Sequence, residues 1–340
     1  MMRRLQQVGR MLPMLVMVAL LLTGCGDPYL SALQPKGTVA GMQYDLIKLS
    51  VTIMLGVFTV VVVIFTYVLI RYRKRKGDNS IPEQIEGNHK LEIIWTVIPF
   101  ILLIVLAIPM VSTTFTLAKD YSNDKDAIQV KVTGHQFWWE FEYPDLKINT
   151  AQELYIPVNK KAYLSLEAAD VIHSFWVPAL GGKKDTNPGM TNHMWLESTV
   201  EGTFQGRCAE LCGPSHALMD FKVKVVSQEE FDKWVVEMTK GENAPAENKA
   251  VAVQGEEVFK QSCVSCHAVD GNGGKTGPDL TNFGNRQTVA GVLPNDKKHV
   301  AEWLKDPESV KPGNLMPNLK LNDDQVDALV EYLSSLKRQE

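Results

Sequence analysis

The sequence predicts a multi-domain membrane protein in three parts: a two-helix transmembrane hairpin, a β-barrel and a small all-α domain. Three observations carry that prediction. Two uncharged apolar runs lie in the first third of the chain, Leu49 to Ile70 and Ile93 to Ala118. Short alternating and β-branched runs, punctuated by proline and glycine, occupy Ile128 to Val226, the pattern of a β-sandwich or barrel. Beyond a polar stretch at 240–250 the pattern turns helical around a C-x-x-C-H sequence.

At 340 residues the chain has room for roughly two or three domains. Its 45% hydrophobic and 22% charged residues are ordinary for a folded protein, which excludes wholesale disorder. A net charge of −4, with only one short basic run, gives no case for nucleic acid. The five cysteines are placed informatively: Cys25 follows an apolar stretch, and Cys208/Cys212 and Cys263/Cys266 form two close pairs.

Residues 1–24 read as a signal peptide, with Arg3, Arg4 and Arg10 before an apolar run too short to span a bilayer. Leu22-Thr23-Gly24-Cys25 resembles the bacterial lipobox, which implies a lipid on the Cys25 sulfur and cleavage just before it. From 25 to 118 the expectation is an N-terminal segment and two spanning helices, at about 47–70 and 93–117. The first apolar run gives about 33 Å of helix at ~1.5 Å per residue, enough for the hydrocarbon core. Pro99 and Pro109 in the second run are tolerated in lipid. The basic run Arg71 to Lys76 between them puts that loop in the cytoplasm. Both flanking parts then lie on the extracytoplasmic side of a bacterial cell membrane. Glu92 opens the second helix, where a carboxylate is costly against lipid yet favourable at a helix N-terminus.

Within the β-rich region, 119–239, lies Cys208-Ala209-Glu210-Leu211-Cys212-Gly213-Pro214-Ser215-His216-Ala217-Leu218-Met219. Two thiolates, an imidazole and a thioether form a soft donor set that favours copper over hard cations. His173 offers a second imidazole. Zinc suits two cysteines and two histidines but gives Met219 no role, and a Cys208–Cys212 disulfide is a third reading of the same residues.

Residues 240–250 are small and polar, the composition of a flexible linker, and a C-terminal domain occupies 251–340. There Cys263-Val264-Ser265-Cys266-His267 has the form of the c-type haem attachment sequence. Two thiols one helical turn apart can add to both vinyl groups, and the next histidine falls beneath the iron. A redox pair or zinc knuckle would leave His267 unused. Met316 is the only methionine past residue 238, and His299 sits among lysines, so Met316 is expected as the sixth ligand. Asn322, with Gln325 three positions on, reads as the capping box of a final helix.

The stretch 208–219, together with His173-Ser174-Phe175, resembles the dinuclear copper A motif of cytochrome c oxidase subunit II. The likeness extends over roughly 40–235, and residues 251–336 resemble class I cytochromes c, including Gly277-Pro278-Asp279-Leu280. The resemblance implies a cupredoxin-like barrel in which Cys208 and Cys212 bridge two copper ions. His173 and His216 then bind one ion each, and Met219 and the Glu210 carbonyl complete the set. It also implies a magnesium ion held partly by the Glu210 side chain, and a covalent haem c at Cys263 and Cys266 with His267 and Met316 as axial ligands. Glu92 then lies at the mouth of a proton path into subunit I. The implied partners are subunit I and further oxidase subunits, membrane lipid and a respiratory-chain electron donor, with oxygen reduction and proton pumping in subunit I.

One position departs from the family pattern. Gly134-His135-Gln136-Phe137-Trp138-Trp139 resembles its aromatic segment, but Phe137 stands where the tryptophan accepting electrons from soluble cytochrome c usually is. Trp138 and Trp139 remain as candidate electron-transfer aromatics. A haem domain on a tether of ~10–15 flexible residues would see the copper domain at about millimolar effective concentration, so a strong docking surface becomes less necessary. Three rivals stand beside this reading: a quinol oxidase subunit II, which lacks the copper ligands, the small subunit of a copper A nitric oxide reductase, and a free-standing electron shuttle or copper-delivery protein.

Overall fold

A computed structural model describes residues 30–74 and 86–339, with isolated positions 13, 16, 17, 77, 81 and 84. Apart from positions 13, 16 and 17 the expected signal peptide lies outside the described residues, as does the lipidation position Cys25.

Helices α1 (Thr38–Arg71) and α2 (His89–Leu117) form the hairpin. Both are long and apolar enough to cross a membrane, and the apolar windows of both are uncovered by protein. A helix apolar all round with no protein against it needs a lipid environment. The Asn88 side chain caps α2 by accepting from Lys90 N at 3.1 Å and Leu91 N at 3.3 Å. Glu92 stands in that first turn, where its carboxylate meets the positive end of the helix dipole.

The membrane-distal start of α1 is fastened to the β domain. Thr38 N donates to Glu197 O at 3.0 Å and Ala40 N to Leu180 O at 3.0 Å. Val39 packs with Tyr163 and Trp195, and Leu117 from the end of α2 joins them. Both open ends of the hairpin therefore sit on the β domain, and the basic connection lies at the opposite end.

The β domain is two five-stranded sheets. One runs β3 (Ile148–Ala151), β2 (Trp138–Tyr143), β1 (Ile128–His135), β5 (Ala162–Ala168), β8 (Asn192–Leu196). The other runs β4 (Glu153–Pro157), β10 (Asp220–Val226), β9 (Gly202–Cys208), β6 (His173–Trp176), β7 (Lys184–Thr186). Alternation in β1 and β10 buries Val130 and Val132, and Phe221, Val223 and Val225. They meet Trp139, Phe141, Phe175 and Phe204 in one core. Helix α3 (Gln228–Lys240) closes one end with Phe231 and Trp234, the latter stacked on Tyr155 at 4.6 Å.

The segment read as a flexible linker is instead held down. Glu242–Asn243 pairs with Arg338–Gln339 as a short antiparallel ribbon, and Ala244 N donates to Lys337 O at 2.8 Å. Composition alone cannot reveal this, because the restraint comes from the distant C-terminal end of the chain. The helical domain follows: α4 (Lys249–Ser262), α5 (Lys297–Lys305), α6 (Pro307–Val310) and α7 (Asp323–Ser335). Helices α4 and α7 cross closely at Gly255, where an added Cβ would lie 2.0 Å from Ala328 O. Asn322 and Gln325 form the expected capping box at the start of α7.

Candidate metal centres

The register of two strands assembles the first cluster. In the β6–β9 pair Phe175 faces Cys208, so His173 at the start of β6 falls beside the last residue of β9. The chain then loops through Cys212, makes a short turn over His216–Leu218 and enters β10. The neck of this loop is tied by Cys208 N donating to Met219 O at 3.1 Å.

The donors converge. Cys208 Sγ and Cys212 Sγ are 3.9 Å apart. His173 Nδ1 lies 4.0 Å from Cys208 Sγ, and His216 Nδ1 lies 3.7 Å from Cys212 Sγ. Met219 Sδ is 3.8 Å from Cys212 Sγ and the Glu210 carbonyl 3.2 Å from Cys208 Sγ. Both cysteines are free thiols, at a separation far beyond the ~2.05 Å of a disulfide. A thioether and a carbonyl in addition to two sulfurs and two imidazoles exceed what a tetrahedral structural zinc uses. The set fits two soft ions sharing the two sulfurs.

Electrostatics favour the same outcome. The Cys212 thiol hydrogen-bonds to Cys208 and, with His173, holds the Cys208 thiol well below its usual range, while that contact pushes Cys212 up. His173 is fully buried, and its Nε2 lies 2.8 Å from Asp170 Oδ1, which directs Nδ1 at the sulfurs. Asp170 is itself fixed, accepting from Gln136 N and Val171 N at 2.7 Å each.

The second cluster lines a cavity of about 360 Å³ between the helical and β domains, with Cys263, Cys266, His267 and Met316 in its wall. Leu280, Val300, Leu304, Leu329 and Leu333 supply the apolar lining. His267 Nδ1 sits 2.8 Å from the Pro278 carbonyl, so it carries the proton and leaves Nε2 as a lone-pair donor. Burial lowers His267 below the usual imidazole value, which keeps it neutral. Gly277 is required against this ring, since a Cβ there would lie 2.8 Å from His267 Cε1. Two free thiols, a neutral imidazole and a thioether around one apolar cavity fit a covalently bound haem. His299, by contrast, is turned to Asp296 Oδ2 at 2.7 Å, outside that cavity's lining.

The three candidate aromatics part company. Trp139 is buried beneath the first cluster, its ring centroid 6.0 Å from that of His173. Trp138 stacks on His135 at 4.1 Å. Phe137 is buried, and its ring approaches the Cys212–Gly213 loop so closely that a Cβ on Gly213 would stand 3.0 Å from Phe137 Cζ. Phe137 and Trp138 also line the cavity that holds His267. Glu210 keeps a half-exposed carboxylate 4.0 Å from Lys183 Nζ.

Sequence reasoning missed two contributors, Asp170 and Gln136. Asp170 stands three residues before His173, and that spacing was the available signal. Gln136 donates to the Cys212 carbonyl at 2.5 Å, a contact between separate loops that no local pattern marks.

Three family models match the chain. The transmembrane domain of cytochrome c oxidase subunit II matches residues 37–112, its periplasmic domain 146–226, and cytochrome c 252–337. The chain is 49% identical to cytochrome c oxidase subunit 2 of Alkalihalophilus pseudofirmus over 335 residues, covering 97% of each. With that of Bacillus subtilis it shares 50% identity over 349 residues, 96% of this chain and 98% of the relative. Quinol oxidase subunit 2 of Bacillus subtilis is 40% identical over 225 residues, 65% of this chain and 70% of that protein.

Proposed function

Because the chain belongs to the cytochrome c oxidase subunit II family and carries a cytochrome c domain at its C-terminal end, we propose a specific route for electrons through it. Members of this family are parts of a haem-copper oxidase, and this chain's role there is electron transfer. The proposed order is entry at the haem held by Cys263, Cys266, His267 and Met316, then the copper pair held at Cys208 and Cys212, then subunit I. One electron moves at each step and no bond is made or broken.

The copper A pair supplies a delocalised one-electron relay when bound, and the haem c a second one-electron centre. The residues supply the rest. Cys208, Cys212, His173, His216, Met219 and the Glu210 carbonyl would hold the two copper ions. Asp170 orients His173, and the Pro278 carbonyl orients His267. Burial of His173, Cys208, Cys212 and Met219 excludes water from the first cluster, while Cys266 leaves an edge of the second open to solvent. The observation that supports this reading most is the convergence of the whole soft donor set around Cys208 and Cys212, which the quinol-oxidase alternative does not need.

The finer parts of the proposal concern the setting. Glu92 marks the entrance of a proton path into subunit I, and the Glu210 carboxylate offers a hard oxygen donor to magnesium at that boundary. Cys25 carries the lipid, and the β and helical domains lie on the extracytoplasmic face, where a respiratory donor reaches them. Metal analysis of the purified full chain in its complex tests the core. Two copper ions per covalent haem, with a many-helix partner copurifying, is the expected result. One zinc, or isolation as a single chain, would overturn it in favour of a structural site or a free shuttle.

A further inference from the structure

A lysine in the helical domain is buried in the seam between the two clusters. Lys311 follows α6, is 3% exposed, and donates from Nζ to the Phe137 carbonyl at 2.5 Å and to the Ala290 carbonyl at 2.7 Å. Lysine is almost never buried so completely unless its ammonium is paired, and here the two carbonyls pair it. Its own carbonyl accepts from Asn314 Nδ2 at 2.8 Å, and Asn314 Oδ1 accepts from Met316 N at 2.9 Å. On the other side Gln136, next to Phe137, donates to the Cys212 carbonyl. A continuous run of contacts thus joins the Met316 loop to the copper loop, and Lys311 is the link that crosses between domains.

The rest of the seam is polar and fitted. Ser215 Oγ donates to the Pro312 carbonyl at 2.7 Å, and Gln287 N donates to buried Glu153 Oε1 at 2.7 Å. Lys222 Nζ donates to Gln287 Oε1 at 2.7 Å at the rim. A domain swinging on a loose tether does not bury a charged side chain against its neighbour's backbone. Burial also pushes the Lys311 ammonium down, to about 7, so its two carbonyl partners are what hold it in the seam.

We propose that Lys311 is the positioning residue that fixes the geometry in which the haem domain sits on the copper domain. This rests on the electron route proposed above and sharpens it. Lys311 holds the Phe137 peptide, and so aligns the wall of the haem cavity with the loop bearing Cys212. The partner surface is within the same chain, which makes the covalent connection at 241–248 dispensable for docking.

The test uses the assembled oxidase with a protease site introduced at Ala246. After cleavage and washing of the immobilised complex, the haem domain should remain bound, read as retained c-type haem absorbance. Lys311→Met should weaken that retention by about tenfold or more, the effect of losing a buried charge-assisted hydrogen bond, and in the uncut chain it should slow haem-to-copper transfer at unchanged metal content, with Lys311→Arg restoring the rate. Lys222→Met at the rim should leave retention within about twofold. Rapid loss of the haem domain from the cleaved wild type, or wild-type retention in Lys311→Met, would overturn the proposal. Should Lys311→Met fail to assemble, acetylation of the native wild-type protein decides. Lys311 should stay unlabelled while exposed Lys298 and Lys320 react, and labelling of Lys311 at their rate would contradict the docked state. Failure of the electron route itself would show separately, as photoreduced haem that never passes its electron to copper although retention is intact.

Discussion

Asp170 shows how a residue that touches no metal can govern a site. Its carboxylate holds His173 Nε2 at 2.8 Å and is in turn gripped by two backbone amides. Asp170→Asn should therefore lower copper retention against a chelator by about 10- to 100-fold without unfolding the β domain. Retention equal to wild type would remove Asp170 from the site. At the haem, Met316→His should keep a six-coordinate iron while lowering its midpoint potential, because thioether ligation raises it. An unchanged potential would mean that Met316 is not the axial ligand. At this scale the paired cysteines, His216, Met219 and His267 were legible as candidates because 208–219 and 263–267 are short stretches of chain, whereas His173 and Met316 lie far from them in sequence. Asp170, Gln136 and Lys311 act across loops that meet only after folding, so their roles leave no local pattern.

Individual elements show the same division. Two apolar runs, alternating strands and a capping box were all readable, since period and caps are local physics. The fastening of α1 to the β domain was not, because it depends on backbone groups of Leu180 and Glu197 far along the chain. Nor was the ribbon joining Glu242–Asn243 to Arg338–Gln339, which turns a flexible composition into a held strand. The α4–α7 crossing yields a sharp prediction. Gly255→Val would drive a side chain into the Ala328 carbonyl, costing about 3 kcal/mol or more. Melting followed by haem absorbance should fall by more than about 10 °C, while the copper signal persists to its usual temperature. A haem transition within a degree or two of wild type would mean that the two helices separate freely at this crossing.

In the whole molecule, two electron-transfer centres are stacked on one membrane hairpin. The hairpin's open ends hold the β domain, and the seam around Phe137 and Lys311 holds the helical domain against it. Phe137, the departure from the family's aromatic segment, lies inside that seam. The helical domain thus covers the one aromatic position that departs from the family pattern. The central claim is that electrons pass from haem to copper inside this one chain. The most direct measurement is time-resolved photoreduction of the purified oxidase, following haem and copper absorbance together. Haem oxidation and copper reduction should share one first-order rate constant that does not change with enzyme concentration. A rate that rises with concentration, or copper reduced while the haem stays oxidised, would contradict the account.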